Sequence, residues 1–490
     1  MKKKLLALLL LVCIACGAFS ACADLLGGNI SSPASSQSTE DTNADNSSTT
    51  SEGSSSSSTE DEVPPAIEEV DYAGLVAENF DLSSKETKKL EVSVKLFIDG
   101  DTTHFNVPTS VVANGVLKAR YLAVDTPEST GKVQEWGKTA ANFTKSKLQS
   151  ATSIVLETDG ADWEVDSTGE RRLVWVWYKP EGSSTYRNLN IEILQNGLAH
   201  ASNSAGNRYG EAYCMPAINQ AKALKLHVYS NEKDPGFYYG DAVYLSLREL
   251  RLHVEEYDGI KVAFEGVITY NSGSDGVYVE SYDEETGIWY GMYAYYGFTS
   301  PGEMLKFLKP GRYVRIVGTV SEFSGSWQVS GLEFDRRNPD NPNTTKLLDE
   351  EYHAPVNLET TLERFNSNVT IEVDVEGEEL PITQTYPYMQ LALHSSIEMK
   401  NLVVTKVYTT SSVNDNSNGA ISITCKQGDK TIVVRTNVMY DENGELIKQD
   451  IFVGKTIDVK GIINYFQLND ETEGSYQINV FGMDYITIHN

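Results

Sequence analysis

The stretch Gly115-Val-Leu-Lys-Ala-Arg120-Tyr-Leu-Ala-Val-Asp125-Thr-Pro-Glu128 decides how this chain is read. Gly115 to Val124 has the pattern of a strand, and alternation would put Arg120, Leu122 and Val124 on one face. The strand end then delivers Asp125, Thr126 and Glu128 to a loop that Pro127 keeps from turning helical early. Upstream, Leu90 to Phe97 (LEVSVKLF) alternates as another strand. It runs into Ile98-Asp99-Gly100-Asp101-Thr102, where glycine allows a sharp turn with a carboxylate on either side. Val107 to Val112 reads as further strand. Asp99, Asp101, Asp125 and Glu128 are four carboxylates able to converge. Such a cluster repels itself unless a cation sits between its members, and hard cations such as calcium take oxygen ligands, backbone carbonyls included. An Asp-Gly-Asp turn alone is ordinary turn chemistry; the combination is what points to a site.

Charge shows where phosphate chemistry is to be sought. The chain has 490 residues, 40% of them hydrophobic, enough for two to four domains at ~100–200 residues each. Its net charge is −29. Residues 23–84 hold 13 acidic and no basic residues, 85–234 hold 18 of each, and 235–490 hold 38 acidic against 19 basic. A nucleic-acid binder usually carries a basic face, and only the middle segment avoids a strong acidic balance. Of the five cysteines, three (Cys13, Cys16, Cys22) fall within the first 22 residues. Cys214 and Cys425 lie in different expected domains and read as small buried apolar residues rather than a disulfide framework.

The first residues read as an address. Lys2, Lys3 and Lys4 precede an uncharged run from Leu5 to Ala18, the charged and apolar regions of a secretory signal, too short for a comfortable membrane span. Ser20 and Ala21 before Cys22 resemble the lipobox of bacterial lipoproteins, which implies a lipidated Cys22, with Cys16 as the competitor. Residues 1–22 are therefore expected to be the lipoprotein signal peptide and 23–84 a disordered Ser/Thr/Asp/Glu-rich tether, which lacks the apolar content to offset its ordering entropy.

Several segments in order carry a family resemblance. After the Asp-Gly-Asp-Thr turn and the strand ending Val124-Asp125-Thr126-Pro127-Glu128 come an amphipathic helix at Trp136–Leu148, the stretch Asp166–Trp175 (DSTGERRLVW), Tyr186–Ala201, and a closing helix Ala217–Asn231. Together they resemble the staphylococcal nuclease (thermonuclease) family over roughly Leu90–Asn231. The resemblance implies a five-stranded OB-type barrel with three helices at 85–234, a calcium ion held by Asp101, Asp125 and the carbonyl of Thr126, and Glu128 acting as, or positioning, the general base. It also implies Arg120 and Arg171 as phosphate clamps, with Arg172 as the alternative to Arg171. The implied reaction is hydrolysis of DNA and RNA to 5′-hydroxyl and 3′-phosphate ends. A phosphodiester is anionic and gains negative charge on attack, so a cation and bidentate guanidinium forks are the groups it needs, and lysine would clamp less well. There are departures. Glu170 is an extra residue, Thr168 replaces an expected tyrosine, and Asn203 and Ala205 fall where the family places two tyrosines; Tyr209 is the residue nearby that could compensate. His104 and His200 read as surface or packing residues rather than acid–base groups.

Beyond Asp234-Pro235-Gly236 the pattern becomes many short β runs. Lys261–Tyr270, Gly276–Tyr282, Gly287–Tyr296, Arg312–Phe323 and Ser326–Phe334, with a helix near Ser300–Leu308, suggest an OB-like barrel at 240–335. Val453–Phe466 echoes Arg312–Phe323, pointing to a second such barrel at 397–490, with 336–396 a linker or elaborated connection. The expected fold class is thus mainly β with an α+β nuclease domain, an OB-type five-stranded barrel with three helices followed by two further OB-like barrels. Trp289, Tyr290 and Trp327 are the candidate stacking platforms for nucleic acid on the second barrel. The leading function is a cell-surface, calcium-dependent nuclease anchored to the outer face of the membrane. The alternative is a non-catalytic nucleic-acid or ligand-binding surface lipoprotein, which has no need of Asp101, Arg120, Asp125 and Glu128 together.

Overall fold

The computed structural model describes residues 68–273, 275–297, 301–374, 380–411, 417–467 and 473–489. The leader, Cys16, Cys22 and the tether as far as residue 67 lie outside the described residues.

Alternating β-branched and aromatic residues build the first barrel from β1 (Lys89–Asp99), β2 (Thr102–Asn106), β3 (Val116–Tyr121), β4 (Ala151–Glu157) and β5 (Arg172–Pro180). β1 pairs antiparallel with β2 and β4, β2 with β3, and β4 with β5. A parallel pairing of β3 with β5 closes the cylinder. In β3 the alternation is clean: Leu117, Ala119 and Tyr121 are buried, while Val116, Lys118 and Arg120 face outward. Three helices, α1 (Gly137–Gln149), α2 (Leu189–Gln195) and α3 (Met215–Ala223), complete the domain. The closing helix is shorter than the expected Ala217–Asn231, because Lys225 and His227 take left-handed backbone conformations. Trp175 and Trp177 are fully buried in the core. The buried Glu157 carboxylate beside them accepts from Trp177 Nε1 at 2.7 Å, Tyr209 OH at 2.9 Å and Thr87 Oγ1 at 2.6 Å, so every polar group there is matched.

Three expectations change here. The strand read from Gly115 to Val124 breaks after Tyr121: Ala123 has φ +70°, Leu122 N donates to Val174 O, and a separate short strand Ala123–Asp125 pairs with His200–Ser202. Arg120 therefore does not share a face with Leu122 and Val124, which are buried. Val107–Val112 is a turn rather than a strand, with Val111 N bonded to Pro108 O. Finally, the expected tether is part of the domain from Val70 onward. Ala73 and Val76 are fully buried, Phe80 stacks on Trp177 at 4.1 Å, and Asp71 forms a two-pronged ion pair with Arg187 at 2.6 and 2.8 Å. The apolar side chains that dock this segment, Tyr72, Ala73, Val76, Ala77 and Phe80, are mostly small and do not stand out in a polar window.

The next two barrels repeat the first one's plan. β6 (Lys261–Asn271), β7 (Gly276–Asp283), β8 (Ile288–Tyr295), β9 (Tyr313–Phe323) and β10 (Ser326–Ser330) form one. β11 (Ser396–Thr409), β12 (Ile421–Gln427), β13 (Lys430–Thr436), β14 (Thr456–Phe466) and β15 (Ser475–Val480) form the other. In both, as in the first, the third strand runs parallel to the fifth and the first strand closes on the fourth. The echo between Arg312–Phe323 and Val453–Phe466 is thus the same strand in two copies. Much of the expected linker is structured: Lys346–Leu347 extends the second barrel, Asn368–Val373 pairs antiparallel with Ile382–Pro387, and Leu362, Phe365, Tyr388 and Leu391 are buried. Those side chains belong to one hydrophobic core shared by the second and third barrels, while the nuclease-like barrel has its own. Among the described residues no helix is long and apolar enough to cross a membrane.

Polar groups also join the two later barrels. Glu280 is 1% exposed and accepts from Ser396 N at 2.7 Å and Ser396 Oγ at 3.0 Å. Burial pushes its carboxyl from an ordinary 4.5 up to about 7, against the lowering effect of those hydrogen bonds. The folded chain therefore holds this proton more tightly than the unfolded chain. The resulting stability is fully present below the ordinary carboxylate range and is lost as pH rises through about 7. Glu280→Gln is expected to flatten this loss, which is on the order of 3 kcal/mol. Melting temperatures of both proteins between pH 5 and 8 check it; parallel curves would refute the assignment.

Candidate active site

The acidic cluster forms where the β1–β2 turn meets the break after β3. Gly100 in that turn lies so close to Thr126 that an added Cβ would stand 2.9 Å from its side chain, so a larger residue would push the two loops apart. Thr144 Oγ1 of α1 donates to Gly100 O at 2.6 Å and fixes the turn from behind. Asp101, whose side chain is 5% exposed, accepts from Thr126 N at 2.9 Å and Thr102 Oγ1 at 3.0 Å and is ion-paired with Arg120. The other arm of Arg120 meets Asp125 Oδ1 at 2.7 Å. One guanidinium thus bridges the two carboxylates that the sequence nominates as ligands.

Asp99, read among the four carboxylates but given no role, turns out to be a partner of the Glu128 loop. Its Oδ1 accepts from Ser129 Oγ at 2.7 Å and Ser129 N at 3.2 Å. Glu128 itself is an exposed residue. Its carboxyl end is partly desolvated, and this, followed by a hydrogen bond with Asp99 and the charges of Asp99 and Asp125, pushes its pKa from 4.5 up to about 7; Arg120 pulls the other way. Its backbone is held on both sides by Gln134, with Glu128 N donating to Gln134 Oε1 at 2.9 Å and Gln134 N donating to Glu128 O at 2.8 Å.

Arg171 precedes β5 by one residue and stands two before Leu173, the residue paired with Arg120. It is engaged by Asp166, with Nε donating to Oδ2 at 2.7 Å, rather than by the central carboxylates. Arg172 is tied to Trp163 O at 3.2 Å. Beside the cluster opens a cleft of about 590 Å³ lined in part by Asp125, Thr126, Pro127, Trp136, His200, Lys233 and Tyr239.

Other nominated residues sort by burial. Tyr209 is 7% exposed and bound to Glu157, so it is a core residue and offers no stacking surface in place of the missing tyrosines. Asn203 and Ala205 are exposed and non-aromatic. His104 is largely buried in β2; desolvation first, then Lys118, lowers its pKa to about 4, so it is a neutral packing residue. His200 is exposed and lines the cleft. On the second barrel Tyr290 is fully buried and cannot act as a platform, while Trp289 and Trp327 are half-buried.

The donor set around Asp101 is entirely oxygen, which suits calcium or magnesium and not a soft metal. Among the described residues no group of three or more His, Cys, Asp or Glu is placed to hold a metal unaided, so backbone carbonyl and water must complete any such shell. Thr126 Oγ1 is buried without a hydrogen-bond partner. An orphaned buried oxygen beside the Gly100 turn fits a cation-binding loop.

A closed five-stranded barrel with a carboxylate–arginine cluster at the end of its third strand defines the class as an OB-type barrel with an acidic, arginine-bridged site. Residues 118–231 match the family model described as staphylococcal nuclease homologue. The chain carries a domain of that family, followed by OB-like barrels, and its function is of the nuclease or nucleic-acid-binding type. The family is one of hydrolytic nucleases, typically calcium-dependent. The matched span includes Arg120, Asp125, Thr126, Glu128 and Arg171 and begins after Asp101. No curated protein matches the chain.

Proposed function

We propose that this protein is a calcium-dependent nuclease that hydrolyses phosphodiester bonds of DNA and/or RNA to 5′-hydroxyl and 3′-phosphate ends. The observation that carries the proposal is Arg120 bridging Asp101 and Asp125, with Glu128, itself set against Asp99, within reach of the arginine's charge. Glu128 takes the proton of the attacking water on its carboxylate oxygen as the water oxygen bonds to phosphorus, the P–O5′ bond breaks and the departing 5′ oxygen takes a proton from solvent. Arg120 turns its guanidinium from the Asp pair to the phosphate and holds two non-bridging oxygens as charge builds on them. Arg171, once released from Asp166, reaches for the same phosphate from the neighbouring strand. Asp101, Asp125 and the carbonyl of Thr126 would hold calcium, which would supply positive charge against the charge that builds on the phosphate.

Export and anchoring through a lipidated Cys22 belong to the same proposal and rest on the leader sequence. The engagement of Arg171 by Asp166 and the loss of the tyrosine pair favour the second reading, a non-catalytic nucleic-acid-binding lipoprotein.

Incubating the full chain with plasmid, single-stranded DNA and RNA separates the two. Cleavage with calcium, loss of cleavage with EGTA, and 3′-phosphate ends are expected. Binding without cleavage in calcium supports the second reading, and cleavage that persists in EGTA overturns the calcium mechanism. Fractionation of the producing cells tests the anchor: Cys22→Ser should leave the membrane fraction, and its retention there would refute lipidation at that cysteine.

A further inference from the structure

We propose that the second barrel is a positioning element for Glu128, clamping the loop that carries it from outside the nuclease domain. The inference rests on the nuclease reading and names what holds its base in place. Residues 126–136 connect the strand Ala123–Asp125 to α1, and a loop of that length on a lone barrel would be among its least stable parts. In this chain it is gripped at its tip and at its exit.

At the tip, Gly331, just after β10, lies against the backbone of Gly131 and Lys132. Its φ is +62°, and an added Cβ would stand 2.4 Å from Gly131 O. Lys132 Nζ lies 3.3 Å from Glu333 Oε2, a second contact across the same seam. At the exit, Trp136 N donates at 2.7 Å to Oδ2 of Asp234, which is 2% exposed and sits on the segment leading to the second barrel. One residue into α1, Lys138 Nζ meets Asp258 Oδ1 at 2.6 Å. Between these points Gln134 holds both backbone groups of Glu128. A displacement of the tip is therefore passed to Glu128 through Gln134, which lies between the two grips and is hydrogen-bonded to its backbone. A shift of about 1 Å at a reacting group can cost on the order of 100-fold in rate, so the second barrel sets a catalytic distance while touching no substrate.

The test uses the full chain and reads kinetics and amide hydrogen exchange together. Gly331→Leu should wedge the seam open. Expected are a fall in kcat of about 10- to 100-fold with KM changed by less than about 3-fold, and faster exchange over residues 128–137 with β1 and β6 unaltered. Lys138→Glu should lower kcat by about 3- to 5-fold, and adding Asp258→Lys should restore it; this pair carries the test if Gly331→Leu does not fold. Wild-type kcat in Gly331→Leu, or no rescue by the double reversal, overturns the proposal. If the wild type cleaves nothing in calcium, the nuclease reading fails by itself. Exchange then still decides the clamp, since unchanged protection of 128–137 in Gly331→Leu refutes it.

Discussion

Glu128→Gln should reduce kcat for phosphodiester hydrolysis by about 10²- to 10⁴-fold, the range general-base catalysis supplies, with KM nearly unchanged. The substitution keeps the shape of the side chain, and Gln134 contacts only the backbone of residue 128, so the loop keeps its anchors. What is lost is the proton acceptor. The carboxyl is raised to about 7 because it is partly desolvated and faces Asp99 and Asp125, and an amide relieves that repulsion. The variant should therefore fold at least as stably as the wild type. A melting temperature equal to or above wild type, together with the rate loss, identifies a chemical role. Rate loss accompanied by a large drop in melting temperature would instead mark Glu128 as structural, and full activity would remove it from the mechanism.

Arg120→Ala should act on both rate and stability. Loss of a guanidinium aimed at developing charge is expected to cost about 10²- to 10³-fold in kcat/KM, and Arg120→Lys should recover only part of it because the planar fork is absent. Without calcium, the variant leaves Asp101 buried with no counter-charge, since Arg120 is its ion-pair partner. Breaking a buried pair in this way costs about 3–5 kcal/mol. If Asp101 and Asp125 hold the cation, calcium should raise the melting temperature of Arg120→Ala more than that of the wild type, because the ion replaces the missing charge. Equal shifts would argue that these two carboxylates are not the ligands.

The strands were legible in the sequence because each has a buried face and a solvent face, and period-two alternation records that directly. The acidic loop was legible because Asp125-Thr126-Pro127-Glu128 follows a strand, while the departures at Thr168, Asn203 and Ala205 were legible only against the family resemblance. The left-handed Ala123 was not legible. Nothing in Tyr-Leu-Ala-Val marks a break, which is stabilised by Asn190 Nδ2 donating to Leu122 O and Ser204 Oγ donating to Ala123 O, from residues 67 or more positions away. Tyr209 could not be told from a surface tyrosine either, since its burial depends on Glu157. The same holds for Tyr290, which belongs to a core completed by side chains of the third barrel.

The sequence alone determined much of the barrels' strand material, the carboxylates and arginines that phosphodiester chemistry requires, and the acidic character of everything after residue 234. These are local properties, carried by alternation, turn residues and residue type. Tertiary structure decided which of those groups meet. It gave Arg120 to both Asp101 and Asp125, set Asp99 against Glu128, tied Arg171 to Asp166, and brought Gly331 onto a loop 200 residues earlier in the chain. Such contacts depend on how closed barrels pack against one another, and a single strand's pattern carries no record of the surface that will cover it.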